Sequence, residues 1–196
     1  MALLYREILS AIAIFLTLAG VVPYVRAILE KRAKPHLFSW LIWGSTTFIV
    51  FLAQLSDGAG AGAWPIGVSG LLTFYIAWLA YQNRADVSFT RSDKWLLATA
   101  LGSLLLWFFT ADPLWAVIVL TAVDVIGFGP TLRKAYHRPH EESLTFFSLF
   151  ALRNLISILA LAHVSFTTAL FPAATGAGCL AVVVLILYRR WQAALS

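Results

Sequence analysis

The chain alternates long apolar stretches with short polar ones. A membrane-spanning helix needs about 20 apolar residues, with some tolerance on either side. Seven stretches come close to that length, and the pattern predicts helices over residues 3–29, 36–56, 64–83, 93–110, 113–136, 143–163 and 166–190. Only two residues separate the fourth helix from the fifth, and two separate the sixth from the seventh. We therefore expect the helices of each of these pairs to be antiparallel neighbours.

The apolar pattern repeats after a shift of 107 residues, without a gap. The positions that then coincide are Pro23 with Pro130, Arg26 with Arg133, Pro65 with Pro172 and Tyr81 with Tyr188. Each copy contains three apolar stretches, and one further stretch lies between the copies. The repeat predicts an all-α membrane protein of seven transmembrane helices. Residues 1–84 and 112–196 would be parallel three-helix-bundle repeats, and residues 85–111 would hold a linker helix.

Composition and charge agree with a membrane location. The chain has 61% hydrophobic and 12% charged residues, which leaves too little polar surface for a soluble domain of 196 residues. Of the 14 Lys and Arg residues, 12 lie in the loops or at the helix ends of one side. The positive-inside rule then places the N-terminus outside and the C-terminus in the cytoplasm, in the inner membrane of a cell. The net charge of +5 is explained by topology and lipid headgroups, without a nucleic-acid partner.

Few residue patterns suggest chemistry. The single cysteine, Cys179, lies in the seventh predicted helix, and no Cys or His spacing suggests a metal site. The glycine-rich loop at residues 58–62 does not follow a strand and lacks a nucleotide-binding fingerprint. We expect no catalytic set, no enzyme activity and no cofactor. The sequence leaves open whether the protein forms a homo-oligomer.

Polar side chains inside the predicted bilayer are the sharpest chemical signal. Asp124 lies about midway along the fifth helix, and Arg153 and Asn154 lie about midway along the sixth. A charge at this depth costs roughly 2.5–3.5 kcal/mol on insertion scales, so such groups usually face a cavity and pair. We expect Asp124 and Arg153 to be partners. They would form part of a substrate site or, on the alternative interpretation, a structural ion pair.

The repeat completes this predicted substrate site. Subtracting 107 from Asp124 gives Thr17, and subtracting it from Arg153 and Asn154 gives Thr46 and Thr47. We predict that Thr17, Thr47 and Trp43 close off a cavity lined by Asp124, Arg153 and Asn154. Trp43 could stack on a ring-shaped ligand, or it could be an ordinary packing or interface residue.

Four prolines occupy repeated positions. Pro23 and Pro130 lie near the cytoplasmic ends of the first and fifth helices, where each removes a backbone hydrogen bond and predicts a kink. We predict that this pair acts as gating hinges. Pro65 and Pro172 are predicted to open the third and seventh helices, a position that tolerates proline.

The stretches VVPYVRAILEKRAKPHLFSW and FGPTLRKAYHRPHEESLTFF, each in a set of three helices, resemble the SWEET/PQ-loop superfamily, in a bacterial-type form. Tyr24 and Thr131 follow the two prolines, so the Pro-Gln pair itself is absent. The resemblance implies an alternating-access transporter, facilitative or proton-linked, for a small polar solute such as a sugar or a nucleoside-like or vitamin-like molecule. The alternative it implies is a receptor or sorting protein on the same fold, which binds a ligand without net transport.

Overall fold

The computed structural model of the chain describes residues 2–31, 33, 35–83, 91–140 and 142–195. These residues form seven α-helices, joined by turns and one short 3-10 helix (Gly60–Ala63), and they contain no β-strand. The helices are α1 (Ala2–Leu29), α2 (Leu37–Ser56), α3 (Trp64–Gln82), α4 (Arg91–Thr110), α5 (Pro113–His137), α6 (Leu144–Leu159) and α7 (Phe166–Leu195). The prediction of an all-α chain with seven helices is confirmed.

Several helices are suited to a lipid environment. By length and composition, α1, α2, the 3-10 helix with α3, α5 and α7 could each cross a membrane, whereas α4 and α6 are shorter apolar helices. Every helix also exposes large apolar side chains, for example Phe15, Leu52, Leu71, Phe108, Ile126, Leu155 and Val184. Soluble monomers rarely expose apolar surface on this scale. These features support a multi-pass membrane protein.

In chain order, α1–α3 form the first set of helices and α5–α7 form the second set. In the first set α3 contacts both α1 and α2, and in the second set α7 contacts both α5 and α6. The two sets meet where α1 packs against α6 and where α2 packs against α5. The remaining helix, α4, contacts α2 and α5, so it covers one of these two junctions.

The apolar core has three parts. One buried cluster joins α1 to α3 through Ile28 and Ile76, and a second joins α5 to α7 through Ala135 and Ile186. The third and largest cluster crosses between the sets and includes residues of α2, α3, α5 and α7. Each set is thus held by a core of its own, and a shared core holds the two sets together.

The end of α6 differs clearly from the sequence prediction. The helix predicted over residues 143–163 ends at Leu159, and the next six residues form a turn that packs on the 3-10 helix. There the amide of Ala162 donates to the carbonyl oxygen of Ala59 at 2.9 Å. A Cβ on Gly62 would lie 2.6 Å from the amide nitrogen of Leu161, so only glycine fits against this turn. The first two residues of the turn, Ala160 and Leu161, are apolar and buried, so the start of the turn resembles the end of a helix in composition.

The prolines of α3 and α7 do not occupy equivalent places. Pro65 lies in the first turn of α3, as predicted. Pro172 lies inside α7, six residues after its start at Phe166, so the prediction that it opens this helix is wrong. α7 begins before Pro172 because Ser165 caps its N-terminus. The Ser165 hydroxyl accepts from the Thr168 amide at 3.2 Å, and the Thr168 hydroxyl accepts from the Ser165 amide at 2.9 Å. Pro23 lies inside α1, and α5 continues through position 130 to His137.

Candidate functional site

Asp124 of α5 faces α2. The hydroxyl of Thr46, a fully buried residue of α2, donates to Oδ1 of Asp124 at 3.0 Å. The same hydroxyl lies 3.0 Å from the carbonyl oxygen of Trp43, so its one hydrogen is shared between two acceptors. Trp43 packs against α5 about one helical turn after Asp124. Its indole Nε1 lies 3.6 Å from the position that a Cβ on Gly127 would occupy. Asp124, Thr46 and Trp43 therefore form one group at the junction of α2 and α5.

Arg153 and Asn154 lie at a different place, on α6. Both are buried, with 4% and 2% of their surface exposed. Nη1 of Arg153 donates to Oδ1 of Asn154 at 3.2 Å, and Nη2 donates to the hydroxyl of Ser69 on α3, also at 3.2 Å. The guanidinium carbon lies 5.1 Å from the centre of the Phe150 ring, within the range of a cation–π contact. All of these partners are uncharged.

Asp124 and Arg153 do not form an ion pair, so the prediction that they are partners is wrong. Asp124 takes its hydrogen bond from α2, whereas Arg153 donates to α3 and to its own helix. Both residues lie about midway along their helices. However, Asp124 lies at the contact of α5 with α2, and Arg153 lies at the contact of α6 with α3. The interpretation as a structural ion pair therefore has no contact to support it among the described residues.

Thr17 and Thr47, the two threonines of the predicted site, are both buried but lie on different helices. Thr17 of α1 is fully buried, and its hydroxyl donates to the carbonyl oxygen of Ala13 at 2.9 Å. About one turn further along α1, Gly20 packs directly on the ring of Phe150, which places this part of α1 against α6. Thr47 of α2 is buried as well. That these threonines line one cavity with Asp124, Arg153 and Asn154 remains a prediction.

Some buried polar groups were missed by the sequence reasoning. Four side-chain atoms among the described residues are buried without a hydrogen-bond partner: Oε1 of Gln54, Oγ1 of Thr121, Nε of Arg153 and Oγ of Ser157. Thr121 lies three residues before Asp124 on α5, and Ser157 lies four residues after Arg153 on α6. Residues three or four apart share a helix face, so this spacing was available from the sequence as a signal.

Gln54 of α2 makes an unusual contact with α7. Its Nε2 donates to the main-chain carbonyl oxygen of Thr168 at 2.6 Å. Thr168 lies four residues before Pro172, and proline has no N–H to bond the carbonyl four residues earlier. The glutamine side chain therefore supplies a donor that α7 lacks, and it ties the first set of helices to the second.

Further contacts join the two sets at the loop that follows α2. The hydroxyl of Ser165 donates to the carboxylate of Asp57. His163 approaches the same residue, with Nδ1 3.0 Å from the main-chain oxygen and 3.7 Å from Oδ2. The carboxylate, not the imidazole, contacts the serine, so this trio does not have the order of a catalytic triad. The trio joins the loop after α2 to the turn before α7 at one end of the helix bundle.

A surface groove of about 610 Å³ lies between α5 and α7, with Leu132, Leu180 and Val184 among its lining residues. None of the predicted site residues lines this groove. Its lining is almost entirely apolar, which suits lipid contact better than a polar solute.

Comparison with protein-family models, with curated protein sequences and with solved structures finds no match to this chain.

Proposed function

We propose that the protein is a membrane transporter that moves a small polar solute by alternating access. The observation that carries the proposal is the burial of polar side chains where the two sets of helices meet. Arg153 is buried and Asp124 is half-buried within apolar helices, and neither is paired with an opposite charge among the described residues. The buried hydroxyls of Thr121 and Ser157, on neighbouring turns, have no hydrogen-bond partner in the part of the chain that the structure describes. Groups this costly to bury in a membrane usually mark a solute or ion pathway.

Two equivalent contacts support a duplicated architecture. Gly20 of α1 packs on the ring of Phe150 of α6, and Gly127 of α5 packs near the ring of Trp43 of α2. The shift of 107 residues converts Gly20 into Gly127 and Trp43 into Phe150. The shift therefore converts each contact into the other. In one contact the glycine lies in the first half and the aromatic ring in the second, and in the other contact these positions are reversed. A two-fold relation between two three-helix bundles would produce this correspondence.

The packing order points to the same 3+1+3 plan. In both sets the third helix lies between the first and second, and α4 lies outside as the linker. The internal clusters also correspond, because a shift of 107 converts Ile28 into Ala135 and Leu79 into Ile186. Because each bundle has a core of its own beside the core that the two share, each could keep its internal packing while the bundles move about their shared contact. That movement is what alternating access requires.

The contacts between the sets suggest where the pathway closes. Asp57 with Ser165, and Gln54 with Thr168, join the sets near the loop after α2. Pro23 lies near the opposite end of the bundle, and Pro130 is its repeat equivalent. With the N-terminus outside, as the basic residues favour, the joined end is external and the prolines act as hinges on the cytoplasmic side.

Flux measurements on reconstituted protein test the proposal. Purified protein in sealed vesicles should take up a labelled solute from a panel of sugars, nucleosides, amino acids and organic acids, with saturation. The variant Asp124→Asn should fold and lose most of this uptake, because it changes the charge at the α2–α5 junction. Ile126→Ala is the matched control, because Ile126 is a largely exposed residue of the same helix and should leave uptake unchanged.

The result also decides between transport and the receptor alternative. Saturable binding of a solute without flux would reject transport in favour of a receptor or sorting protein. Flux through Asp124→Asn at the parental rate would remove Asp124 from the pathway.

A further inference from the structure

Arg153 is a buried cation without a counter-ion. It lies inside α6 with 4% of its surface exposed, and no carboxylate of the described residues lies within 4.0 Å of its nitrogen atoms. Its neighbours Asn154 and Ser69 are uncharged and each is 3.2 Å away. A buried charge with only neutral partners is strongly unfavourable, above all within a membrane. No described residue thus supplies the negative charge that would balance Arg153.

The helices around α6 offer no such charge. α6 packs against α1, α3 and α7. α3, α6 and α7 contain no Asp or Glu, and the only acidic residue within α1 is Glu7, which is exposed near its start. Asp124 belongs to α5 and takes its hydrogen bond from Thr46. A small movement of these helices therefore cannot bring one of their own carboxylates to Arg153, and an anion bound from solution would balance its charge.

Free hydrogen-bond donors lie beside the positive charge. Nε of Arg153 is buried and has no partner, and the hydroxyl of Ser157 is also buried without a partner. The two residues are four apart on α6, so they share one face of the helix. The Nε edge of a guanidinium is suited to both oxygens of a planar carboxylate. Ser157 can donate to the same group.

We propose that Arg153, with Ser157 beside it, binds the carboxylate group of the transported solute. This assignment rests on the proposed transport function and names its substrate class: small molecules that carry a carboxylate. Charge balance favours a carboxylate over a phosphate. One guanidinium compensates one negative charge, whereas phosphate carries up to two near pH 7 and would leave a net charge inside the membrane.

Binding to the purified full-length protein in nanodiscs tests the assignment without any need for transport. The probes are lactate and alanine, their amides lactamide and alaninamide, glucose and inorganic phosphate, with the change in melting temperature as the readout. At least one of the two carboxylates should raise the melting temperature, and its amide should not. Glucose and phosphate should have little effect.

Three variants sharpen the test. Ser157→Ala should leave the ligand-free melting temperature unchanged, because the hydroxyl has no partner to lose. It should weaken carboxylate binding by about tenfold, the usual scale for a hydrogen bond to a charged group. Arg153→Lys keeps the charge but loses the planar edge, and it should weaken binding at least as much. Ser148→Ala, at an exposed serine of the same helix, is the control and should bind like the parent.

Two outcomes overturn the assignment. One is an amide or phosphate that stabilises the protein as strongly as the carboxylate. The other is a Ser157→Ala variant with parental carboxylate affinity. Failure of the proposed transport function is recognised separately: carboxylates would then bind with the expected variant pattern but would not cross the membrane of sealed vesicles. Conversely, flux of a neutral solute with no response to carboxylates would retain transport and reject the carboxylate site.

Discussion

The bond between Gln54 and α7 leads to a quantitative prediction. Pro172 cannot donate to the Thr168 carbonyl oxygen, and Gln54 Nε2 donates to it from α2 at 2.6 Å. Both Gln54 and Thr168 are fully buried, so water cannot replace this donor. We predict that Gln54→Leu destabilises the protein mainly because it leaves a buried carbonyl unpaired. We further predict that Pro172→Ala removes this effect by restoring the N–H within α7.

The size of the effect follows from hydrogen-bond energetics. A buried acceptor left without its donor costs about 1–3 kcal/mol. Oε1 of Gln54 is already unpartnered, so its removal gives back part of that cost. We therefore expect Gln54→Leu to lower the free energy of unfolding by about 1–2 kcal/mol. In the Pro172→Ala background the same change should cost less than about 0.5 kcal/mol, a coupling of roughly 1 kcal/mol between the two sites.

The assay is a double-mutant cycle on the parent, the two single variants and the double variant. Reversible unfolding by a denaturing detergent in mixed micelles, followed by circular dichroism, gives the four free energies. Gln82→Leu, at an exposed glutamine at the end of α3, is the matched control and should behave alike in both backgrounds. An equal cost of Gln54→Leu with and without Pro172 would refute the idea that the glutamine replaces the missing donor.

Two further predictions concern glycine and proline positions. Gly62→Ala should lower stability by about 1–3 kcal/mol, because its Cβ would meet the main chain at Leu161. Gly102→Ala, which has no atom within 4 Å of the new Cβ, should instead raise stability by about 0.5–1 kcal/mol, and detergent unfolding of both variants checks the contrast. The double variant Pro23→Ala with Pro130→Ala should stay folded but slow the uptake of solute by vesicles. The reason is that alanine restores in each helix the backbone hydrogen bond that proline removes, so the helix bends less easily there. Parental uptake by that variant would argue against hinges at these positions.

Helix positions were predictable because they depend on the length and polarity of each stretch. All seven predicted segments coincide with helices, with most ends within two residues. The clear exceptions are the end of α6 and the C-terminal extension of α7 to Leu195. The end of α6 was missed because Leu161 is buried against the 3-10 helix. Buried positions at the start of a turn need apolar residues as much as a helix does, so local composition could not locate the end of α6.

Side-chain pairing was much less predictable than helix position. Asp124 and Arg153 lie about midway along α5 and α6, as predicted, because that position depends only on where each helix begins and ends. Their partners depend on how each helix is rotated about its axis. In a soluble protein a polar stripe reveals that rotation, but a helix that faces lipid is apolar on its outer side as well. The sequence therefore gave no sign that Asp124 turns towards α2 and Arg153 towards α3.

The proposed duplication differs between its halves in charge more than in packing. Asp124 corresponds to Thr17 and Arg153 corresponds to Thr46. Two identical halves would place equal charges on both sides of the axis, where like charges repel strongly in a low-dielectric interior. One carboxylate and one guanidinium, each of which corresponds to a threonine in the other half, avoid that repulsion. They also make the two sides of the proposed site chemically different, so a solute that carries a carboxylate would bind in one orientation with that group against Arg153. The equivalent glycine–aromatic contacts can meanwhile keep the same geometry at both junctions, because they carry no charge.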